Sequence, residues 1–317
     1  MVLPLVSVII PGYNHGPYLK ERIDSVLAQS YDNFEVIMLD DCSPDNSAEI
    51  MQGYADAVAK GDVRTNATGV AFYPNERNSG NTFLQWEKGI SLAKGDYVWI
   101  AESDDVAEHT FLAELMQRLM DNPDAVLAYS WSNMIGPKSE VLDYSWDETW
   151  RYKAPGIYDG HDFCLHRMVY KNLVYNASMV VFRKQCYYNV SDAYKSYRHC
   201  GDWLFWFEMC MQGKVCEVPL KLNKFRQHPN KVSVDSRRNG QDFCEMAAIQ
   251  RNIIQRIGLS AYQQSCLRGR QTKRLNKSRV SNKEEIRQQF SDIYGGSIFD
   301  IILYTIDKMT NWSGLQR

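Results

Sequence analysis

The sequence of 317 residues predicts an α/β fold, with a mixed, mostly parallel sheet flanked by helices and a helical C-terminal extension. From residue 5 to about residue 130, short apolar runs alternate with helix-period segments, as in parallel strands joined by helices. The first run, residues 5–10, does not alternate between apolar and polar side chains, which indicates a strand buried on both faces. Beyond residue 237 the helical period continues without strand runs.

The spacing of apolar residues also predicts the individual helices and strands. Residues 18–28 predict the first helix, because Leu19, Ile23 and Val26 share one face. Further strands are predicted at residues 34–39, 70–73, 97–101, 125–130, 178–182, 214–218 and 221–225, and further helices at residues 83–93, 110–120 and 203–211.

The chain divides into two parts of opposite charge. Residues 1–236 contain 22 basic and 31 acidic side chains, whereas residues 237–317 contain 14 basic and 7 acidic ones, within a formal net charge of −2. The pattern of apolar residues and the balance of charged residues both change near residue 237. We therefore predict a main domain over residues 1–236 and a basic helical extension over residues 237–317.

The composition also excludes several classes of protein. The net charge of −2 gives no reason to expect a nucleic-acid partner, since binding to phosphate backbones requires a strongly basic surface. The eight cysteines form no C-x-x-C pair, so we expect reduced thiols in a cytoplasmic protein. No run approaches the roughly 20 apolar residues that span a bilayer, and the N-terminus lacks the basic region of a signal peptide.

Polar, mostly acidic residues follow four of the predicted strands, at residues 11–14, 40–47, 78–80 and 102–105. Ligands of open parallel sheets bind beyond the carboxyl ends of the strands. Glu102, Asp104 and Asp105 come directly after an apolar strand, so their clustered like charges favour a hard cation such as Mg²⁺ or Mn²⁺. The alternative is a solvated turn followed by the start of a helix near residue 110.

These motifs, in their order, resemble those of the family 2 glycosyltransferases, which have the GT-A fold. The matching segments are V-S-V-I-I-P-G-Y-N-H-G-P-Y-L at 6–19, D-D-C-S-P-D-N-S at 40–47, N-S-G-N at 78–81, A-K-G-D-Y-V-W-I-A-E-S-D-D at 93–105, N-A-S-M-V-V-F-R-K at 176–184, G-D-W at 201–203 and F-R-Q-H-P-N-K-V-S at 225–233. The resemblance covers roughly residues 5–235. It implies a GT-A-type sheet with a Rossmann-like nucleotide-binding half, and it makes residues 1–236 the catalytic domain.

The resemblance also implies a nucleotide-sugar site made of strand-end residues. Asp41 would accept hydrogen bonds from the base, and Glu102 with Asp104 corresponds to the family's D-x-D pair. Asp104 and His228 would hold the metal, although a histidine in a polar loop can also be merely solvated. Glu102 stands where the family usually has Asp, which leaves its own metal contact open. The predicted nucleotide-sugar-binding residues are Pro11, Tyr13, Asn14, Asp41, Asn78, Gly80, Glu102, Asp105 and Arg226.

Asp202 matches the family's catalytic base. The family usually has Glu before this Asp, whereas this chain has Gly201. An aspartate at the start of the apolar helix predicted at residues 203–211 can ionise and take a proton from an acceptor hydroxyl. The alternative role is that of a helix N-cap.

The resemblance therefore implies an inverting, metal-dependent glycosyltransferase. It would use Mn²⁺ or Mg²⁺ and move a sugar from a nucleotide-sugar, with UDP as the expected nucleotide, to a hydroxyl of a glycan or lipid-linked acceptor, as in polysaccharide or cell-envelope glycan synthesis. One alternative is a sugar-phosphate nucleotidylyltransferase, but the Arg-containing loop that such enzymes have after the first strand is missing here. The other is a catalytically silent nucleotide- or carbohydrate-binding protein, consistent with Glu102 and Gly201.

The C-terminal extension carries a prediction of its own. Residues 268–287 are rich in Lys and Arg, and residues 298–306 form an apolar run with helical spacing. A basic stretch beside an apolar face suits peripheral contact with an anionic membrane surface, here the inner face of the membrane. The alternative is a solvated basic helix and a second helix docked on the main domain.

Overall fold

The computed structural model describes residues 3–144, 156–228 and 240–310. The chain forms two compact units whose segments interleave along the sequence. The first comprises residues 1–158, 176–190 and 212–228, and the second comprises residues 159–175, 191–211 and 229–317. The boundary predicted between residues 236 and 237 falls outside the described residues, so the division at that point stays a prediction.

The first unit contains a nine-stranded mixed sheet in the order β3-β2-β1-β4-β8-β6-β9-β5, with β7 paired to β9. The longer pairings, such as β1 with β2 and β6 with β9, are parallel, whereas β8 runs antiparallel to both β4 and β6. The strands are β1 (Val6–Gly12), β2 (Phe34–Asp40), β3 (Ala67–Pro74), β4 (Tyr97–Ile100), β5 (Val106–Ala107), β6 (Ala125–Ile135), β7 (Gly156–Tyr158), β8 (Val180–Arg183) and β9 (Lys214–Arg226). The predicted sheet is therefore confirmed.

Helices cover this sheet and build the core of the first unit. All seven residues of β1 are buried, as its lack of alternation predicted. Leu19, Ile23 and Val26 of α1 are fully buried, which confirms the predicted apolar face of that helix. The helices of this unit are α1 (Gly16–Leu27), α2 (Ser47–Lys60), α3 (Thr82–Leu92), α4 (Phe111–Asp121) and α6 (Lys184–Tyr187).

One predicted division of the sheet is wrong. Residues 214–218 and 221–225 were expected to form two strands, but they belong to the single strand β9. The register against β6 shifts between Ser130 and Trp131, whose partners are Val218 and Lys221. Pro219, which cannot donate a ladder hydrogen bond, and the residue after it are thus accommodated as a bulge within one strand.

The second unit is helical within the described residues. Its helix α7 (Gly201–Cys210) buries almost every side chain, including Trp203, Phe205 and Trp206, which confirms the predicted apolar helix. The helical C-terminal region is confirmed by the helices that follow residue 240. The helices of this unit are α5 (Gly160–Phe163), α7 (Gly201–Cys210), α8 (Gln241–Ile257), α9 (Ala261–Lys277), α10 (Lys283–Gln289), α11 (Ser291–Tyr294) and α12 (Ile298–Thr310).

Two further expectations concern cysteines and membrane spans. All eight cysteines are free thiols, as the absence of paired spacing predicted. Among the described helices, none combines the length and the apolar character that crossing a bilayer requires.

Candidate active site

Three side chains that can ligate a metal meet at one edge of the sheet in the first unit. His15 follows β1, Asp104 lies in the turn after β4, and His228 follows β9. Because β1 and β4 are parallel neighbours, His15 and Asp104 lie at the same edge. β5, which begins two residues after Asp104, pairs with the end of β9 and so brings His228 to this turn.

The three residues are close enough to share one ion. Nε2 of His228 lies 3.0 Å from Oδ2 of Asp104, and one ligand atom from each of the three residues lies within 4.8 Å of the others. Asp104 and His228 are 9% and 7% exposed. Nδ1 of His228 is buried and has no hydrogen-bond partner within the described part of the chain.

The protonation of His15 suits metal ligation. Burial lowers the pKa of its imidazole, although the nearby Asp104 opposes this shift. The ring is therefore neutral at about pH 7, the form in which histidine binds metals. Nδ1 of His15 lies 2.7 Å from the hydroxyl of Ser103, which orients the ring.

The ligand atoms of His15, Asp104 and His228 fit a divalent cation, and their chemistry favours some cations over others. Imidazole nitrogen suits transition metals, whereas Mg²⁺ prefers oxygen ligands. Two imidazoles and one carboxylate therefore fit Mn²⁺ better than Mg²⁺. Asp104 and His228 are the predicted metal ligands, whereas His15 is not among the residues that the acidic strand ends indicate. Its place directly after Asn14, at the end of the first strand, was the available signal.

Glu102 does not join this metal-ligand cluster. Its Oε1 accepts a hydrogen bond of 2.8 Å from Nε1 of Trp86. Burial and then the negative charge of Asp104 raise the pKa of Glu102 to about 8. The side chain is thus mostly uncharged at about pH 7 and resembles a hydrogen-bonding group more than a metal ligand. Its predicted contact with the nucleotide-sugar stays a prediction.

Asp105 is fully buried and organises the strand ends. Its Oδ2 accepts a 2.8 Å hydrogen bond from Asn176, and its Oδ1 accepts one of 2.9 Å from the backbone N–H of Arg226. Arg22, also fully buried, lies 4.0 Å from the same carboxylate and donates to the carbonyl oxygen of Glu102 at 2.7 Å. This arrangement favours a structural role for Asp105, and a direct substrate contact stays a prediction.

Arg22 also belongs to this edge and is not among the predicted site residues. Burial lowers its pKa to about 10, while the charge of Asp105 acts in the opposite direction. Its Nη2 donates a 2.7 Å hydrogen bond to the hydroxyl of Ser178. The available signal was an arginine between Leu19 and Ile23, on the face of the first helix that was predicted to be apolar.

Arg226 is committed to protein oxygens and is only 1% exposed. Its Nε donates to the carbonyl oxygen of Asp104 at 2.6 Å, and its Nη1 donates to that of Gly136 at 3.0 Å. Its Nη2 lies 2.7 Å from the carboxylate of Glu21. The guanidinium therefore fixes the turn that carries Asp104. Its predicted contact with the nucleotide-sugar stays a prediction that this geometry does not favour.

Asp41 sits in a network of hydrogen bonds with one acceptor position left. Its Oδ1 accepts from Asn75, from the backbone N–H of Ser79 and from Gln85, at 2.6 to 2.9 Å. Its Oδ2 accepts from the hydroxyl of Ser79 at 2.7 Å. Among the described residues Oδ2 thus receives one hydrogen bond whereas Oδ1 receives three, so Oδ2 can still accept one from a ligand. The predicted contact with the base is compatible with this geometry but is not tested by it.

The other predicted nucleotide-binding residues surround Asp41 and the end of β1. Asn78 donates to the backbone carbonyl of Asp41 at 2.9 Å and accepts from the N–H of Gly80 at 2.7 Å. Tyr13 is 47% exposed, and Asn14 adopts a left-handed backbone with φ of 56°. Pro11 is buried within β1, so its side chain belongs to the sheet.

Asp202 belongs to the second unit, at the first turn of α7. Its Oδ1 accepts from the backbone N–H of Trp203 at 2.8 Å, and its Oδ2 accepts from Asn172 at 2.9 Å. Burial raises its pKa to about 7, and these two hydrogen bonds limit the rise. Cys200, not Asp202, occupies the N-cap position. A carboxylate with this pKa exchanges protons readily near neutral pH, as a general base must.

Glu245 of α8 holds the segment that leads into Asp202. Its carboxylate accepts three backbone hydrogen bonds, from Arg198 at 3.1 Å, His199 at 2.8 Å and Cys200 at 3.0 Å. No feature of the sequence pointed to this role, because the two segments are about 45 residues apart.

Comparisons with known proteins identify the family. The family model described as "Glycosyl transferase family 2" matches residues 7–184. The glycosyltransferase GlyG of Streptococcus pneumoniae is 31% identical over 170 residues, which cover 54% of this chain and 49% of GlyG. The putative teichuronic acid biosynthesis glycosyltransferase TuaG of Bacillus subtilis is 34% identical over 131 residues, covering 41% of this chain and 48% of TuaG. The chain thus spans about half the length of these curated relatives.

A solved structure supports the same fold. The crystal structure of S. aureus TarS 1-349 in complex with UDP-GlcNAc matches with a TM-score of 0.63 at 15% identity, over 98% of this chain and 90% of that one. At this identity the likeness concerns the fold, and it confirms the predicted α/β architecture. Because the family model covers more than half of the chain, the protein belongs to glycosyl transferase family 2.

Proposed function

We propose that the protein transfers a glycosyl group from a UDP-sugar to a hydroxyl of a glycan or lipid-linked acceptor, with inversion at the anomeric carbon. The observation that carries this proposal is the cluster of His15, Asp104 and His228 at the sheet edge where α/β folds bind nucleotides. The UDP-GlcNAc bound to TarS supports UDP as the nucleotide, and the name of TuaG supports a cell-envelope glycan as the product.

In this proposal the three residues hold Mn²⁺, with Mg²⁺ as the weaker alternative. When bound, such an ion neutralises the charge that develops on the departing diphosphate. Arg226 keeps Asp104 in place through its 2.6 Å hydrogen bond to the Asp104 carbonyl oxygen. Asp41, through the free acceptor position of its Oδ2, receives a hydrogen bond from the base.

Asp202 is the proposed general base. Its carboxylate takes the proton of the acceptor hydroxyl while that oxygen forms a bond to the anomeric carbon. The bond from this carbon to the diphosphate oxygen breaks on the opposite face, so the configuration inverts. The hydrogen bonds from Asn172 and Trp203 keep enough of the carboxylate ionised near pH 7 to act in this way.

Two proposals concern where the reaction takes place. The eight free thiols support a reducing compartment such as the cytoplasm. In α12 the exposed apolar side chains Ile298, Ile302, Ile306 and Met309 follow helical spacing, which supports contact with an anionic membrane beside the basic helices of this unit. Ile302→Ser should then weaken flotation with phosphatidylglycerol vesicles, whereas Leu220→Ser, an equally exposed apolar position in the other unit, should not.

The proposed function is tested by titrating UDP into the protein by calorimetry, with and without Mn²⁺. We expect Mn²⁺-dependent binding that Asp104→Asn abolishes, because the variant loses the anionic ligand of the cluster. Asp62→Asn removes the same charge at an exposed position of the first unit and should leave binding unchanged. Equal UDP affinity in wild type and Asp104→Asn would overturn the metal site.

A further inference from the structure

The second unit contains a cavity of about 800 Å³ with a strongly basic wall. This volume lies within the range of small-molecule binding sites. The wall is formed by residues from α8, α9, α12 and the segment after α9. Its basic members are Arg270, Lys273, Arg274, Lys277, Arg279 and Lys308, and Asp242 is the acidic residue among the described lining residues.

Within the described part of the chain, the cavity cations have no counter-ions, unlike other arginines of the same unit. Arg251, Arg256, Arg268 and Arg287 each form an ion pair with a carboxylate. In contrast, within residues 3–144, 156–228 and 240–310, no carboxylate lies in ion-pair distance of the six cavity cations. The positive charge of the wall is therefore available to a ligand.

Aromatic rings hold several of these cations at the wall. The guanidinium of Arg270 lies 4.3 Å from the centroid of the Tyr170 ring, and that of Arg274 lies 5.7 Å from the centroid of Phe243. Nζ of Lys273 lies 5.9 Å from the ring centroid of Tyr304. These contacts orient the cations without using their N–H donors in hydrogen bonds to carboxylates.

Arg270 is the clearest example of a partly buried cation in this wall. It is half-buried, and burial lowers the pKa of its guanidinium. A half-buried cation without an anionic partner is unfavourable unless a ligand or water receives its hydrogen bonds. An arginine at such a position is typical of a site for a planar or tetrahedral oxyanion.

We infer that this cavity binds an anionic ligand carrying two or more phosphate groups. The six basic residues exceed the acidic one by five charges, and a phosphate monoester carries about −1.5 to −2 near pH 7, so two or three phosphates match the wall. The site is separate from the His15–Asp104–His228 cluster, because it lies wholly within the second unit. The inference does not rest on the proposed transfer reaction.

The apolar side chains of α12 lie on another side of that helix. Tyr304 and Lys308, one helical turn apart, line the cavity. Ile298, Ile302 and Ile306 are spaced by four residues from one another and are rotated away from that pair by helix geometry. Phosphate binding in the cavity and apolar contact along α12 are therefore separable by substitution.

The test uses calorimetry with inorganic tripolyphosphate and the full chain, in EDTA so that no metal-dependent site competes. The variant Lys273→Gln/Lys277→Gln removes two cavity cations at the rim. The control variant Lys283→Gln/Arg287→Gln removes the same charge from the same unit, outside the cavity. Thermal unfolding of both variants checks that they fold as the wild type does.

We expect wild-type binding, an affinity at least about tenfold weaker in the cavity variant, and no change in the control. Arg270→Gln should weaken binding as strongly. Absence of wild-type binding, or equal loss in both double variants, would overturn the inference, since the latter would indicate only general charge attraction.

A second arm distinguishes the source of the phosphates. The same three proteins are mixed with vesicles of phosphatidylglycerol or of phosphatidylcholine. Flotation with phosphatidylglycerol that the cavity variant loses and the control keeps would assign the site to lipid headgroups. Tripolyphosphate binding without such flotation would assign it to a soluble phosphorylated ligand. Either result, together with tripolyphosphate binding, supports a phosphate site, and absence of tripolyphosphate binding would overturn the inference whatever the flotation shows.

Discussion

The hydrogen bond from Asn172 to Asp202 gives a prediction about the pH dependence of catalysis. Burial raises the pKa of Asp202 to about 7, and the 2.9 Å bond from Asn172 favours the ionised form. Only the ionised carboxylate can take a proton, so activity should rise with pH as the pH passes through this pKa. Asn172→Ala removes the stabilising donor and should move the rise to higher pH.

The magnitudes follow from one ionisation. With a pKa of about 7, the ionised fraction is about tenfold larger at about pH 8 than at about pH 6. A hydrogen bond to a charged group contributes about 1.5–3 kcal/mol. Its loss should therefore displace the midpoint of the profile upward by about one to two pH units, because one pH unit corresponds to about 1.4 kcal/mol.

The assay is the initial rate of UDP release from a UDP-sugar in Mn²⁺ across the neutral pH range, in wild type and Asn172→Ala. Asp202→Asn serves as the reference without a base and should be slower by about 10² to 10⁴, with no rise near neutral pH. A wild-type profile that is flat through neutral pH, or an unchanged midpoint in Asn172→Ala, would refute the assignment of Asp202 as the base.

The remaining predictions concern the metal, the positioning of the base and stability. Mn²⁺ should support UDP binding at lower concentrations than Mg²⁺, and His15→Ala should reduce this preference in calorimetry. The same preference for Mn²⁺ in wild type and His15→Ala would show that His15 does not ligate the metal. Glu245→Gln should lower kcat about tenfold with little change in the KM of the donor, because it loosens the segment before Asp202; a change in KM alone would argue against positioning. Arg22→Met should lower the free energy of unfolding in urea by about 3 kcal/mol, since it removes the buried cation that lies 4.0 Å from the buried Asp105. A loss below about 1 kcal/mol would contradict this pairing.

Local periodicity predicted most of the first unit because its strands and helices are strongly patterned. β1 is buried throughout, as its apolar run indicated, and the predicted helix at 18–28 overlaps α1 closely. The sequence predicts two strands in place of β9, since the bulge at Pro219 can be recognised only once the partner strand is known. The short strand β5 has two residues, too few to produce a period.

The sequence predicted only those residues of the candidate site that lie in recognisable motifs. Asp104 and His228 follow from the resemblance, and the structure places them 3.0 Å apart. His15 and Glu245 act through contacts between segments distant in sequence, which spacing along the chain does not reveal. Arg226 is predicted to bind the nucleotide-sugar, but its donors are used by protein oxygens, a result that depends on the fold around it.

The most direct test of the central claim is product analysis after incubation with UDP-, GDP- and TDP-sugars in Mn²⁺. The proposed function predicts release of UDP from at least one UDP-sugar, and loss of that release in Asp202→Asn. Formation of UTP from a UDP-sugar and added pyrophosphate would indicate a nucleotidylyltransferase instead. Tight UDP binding with no turnover of any of these sugars would contradict the transfer reaction and indicate a binding protein.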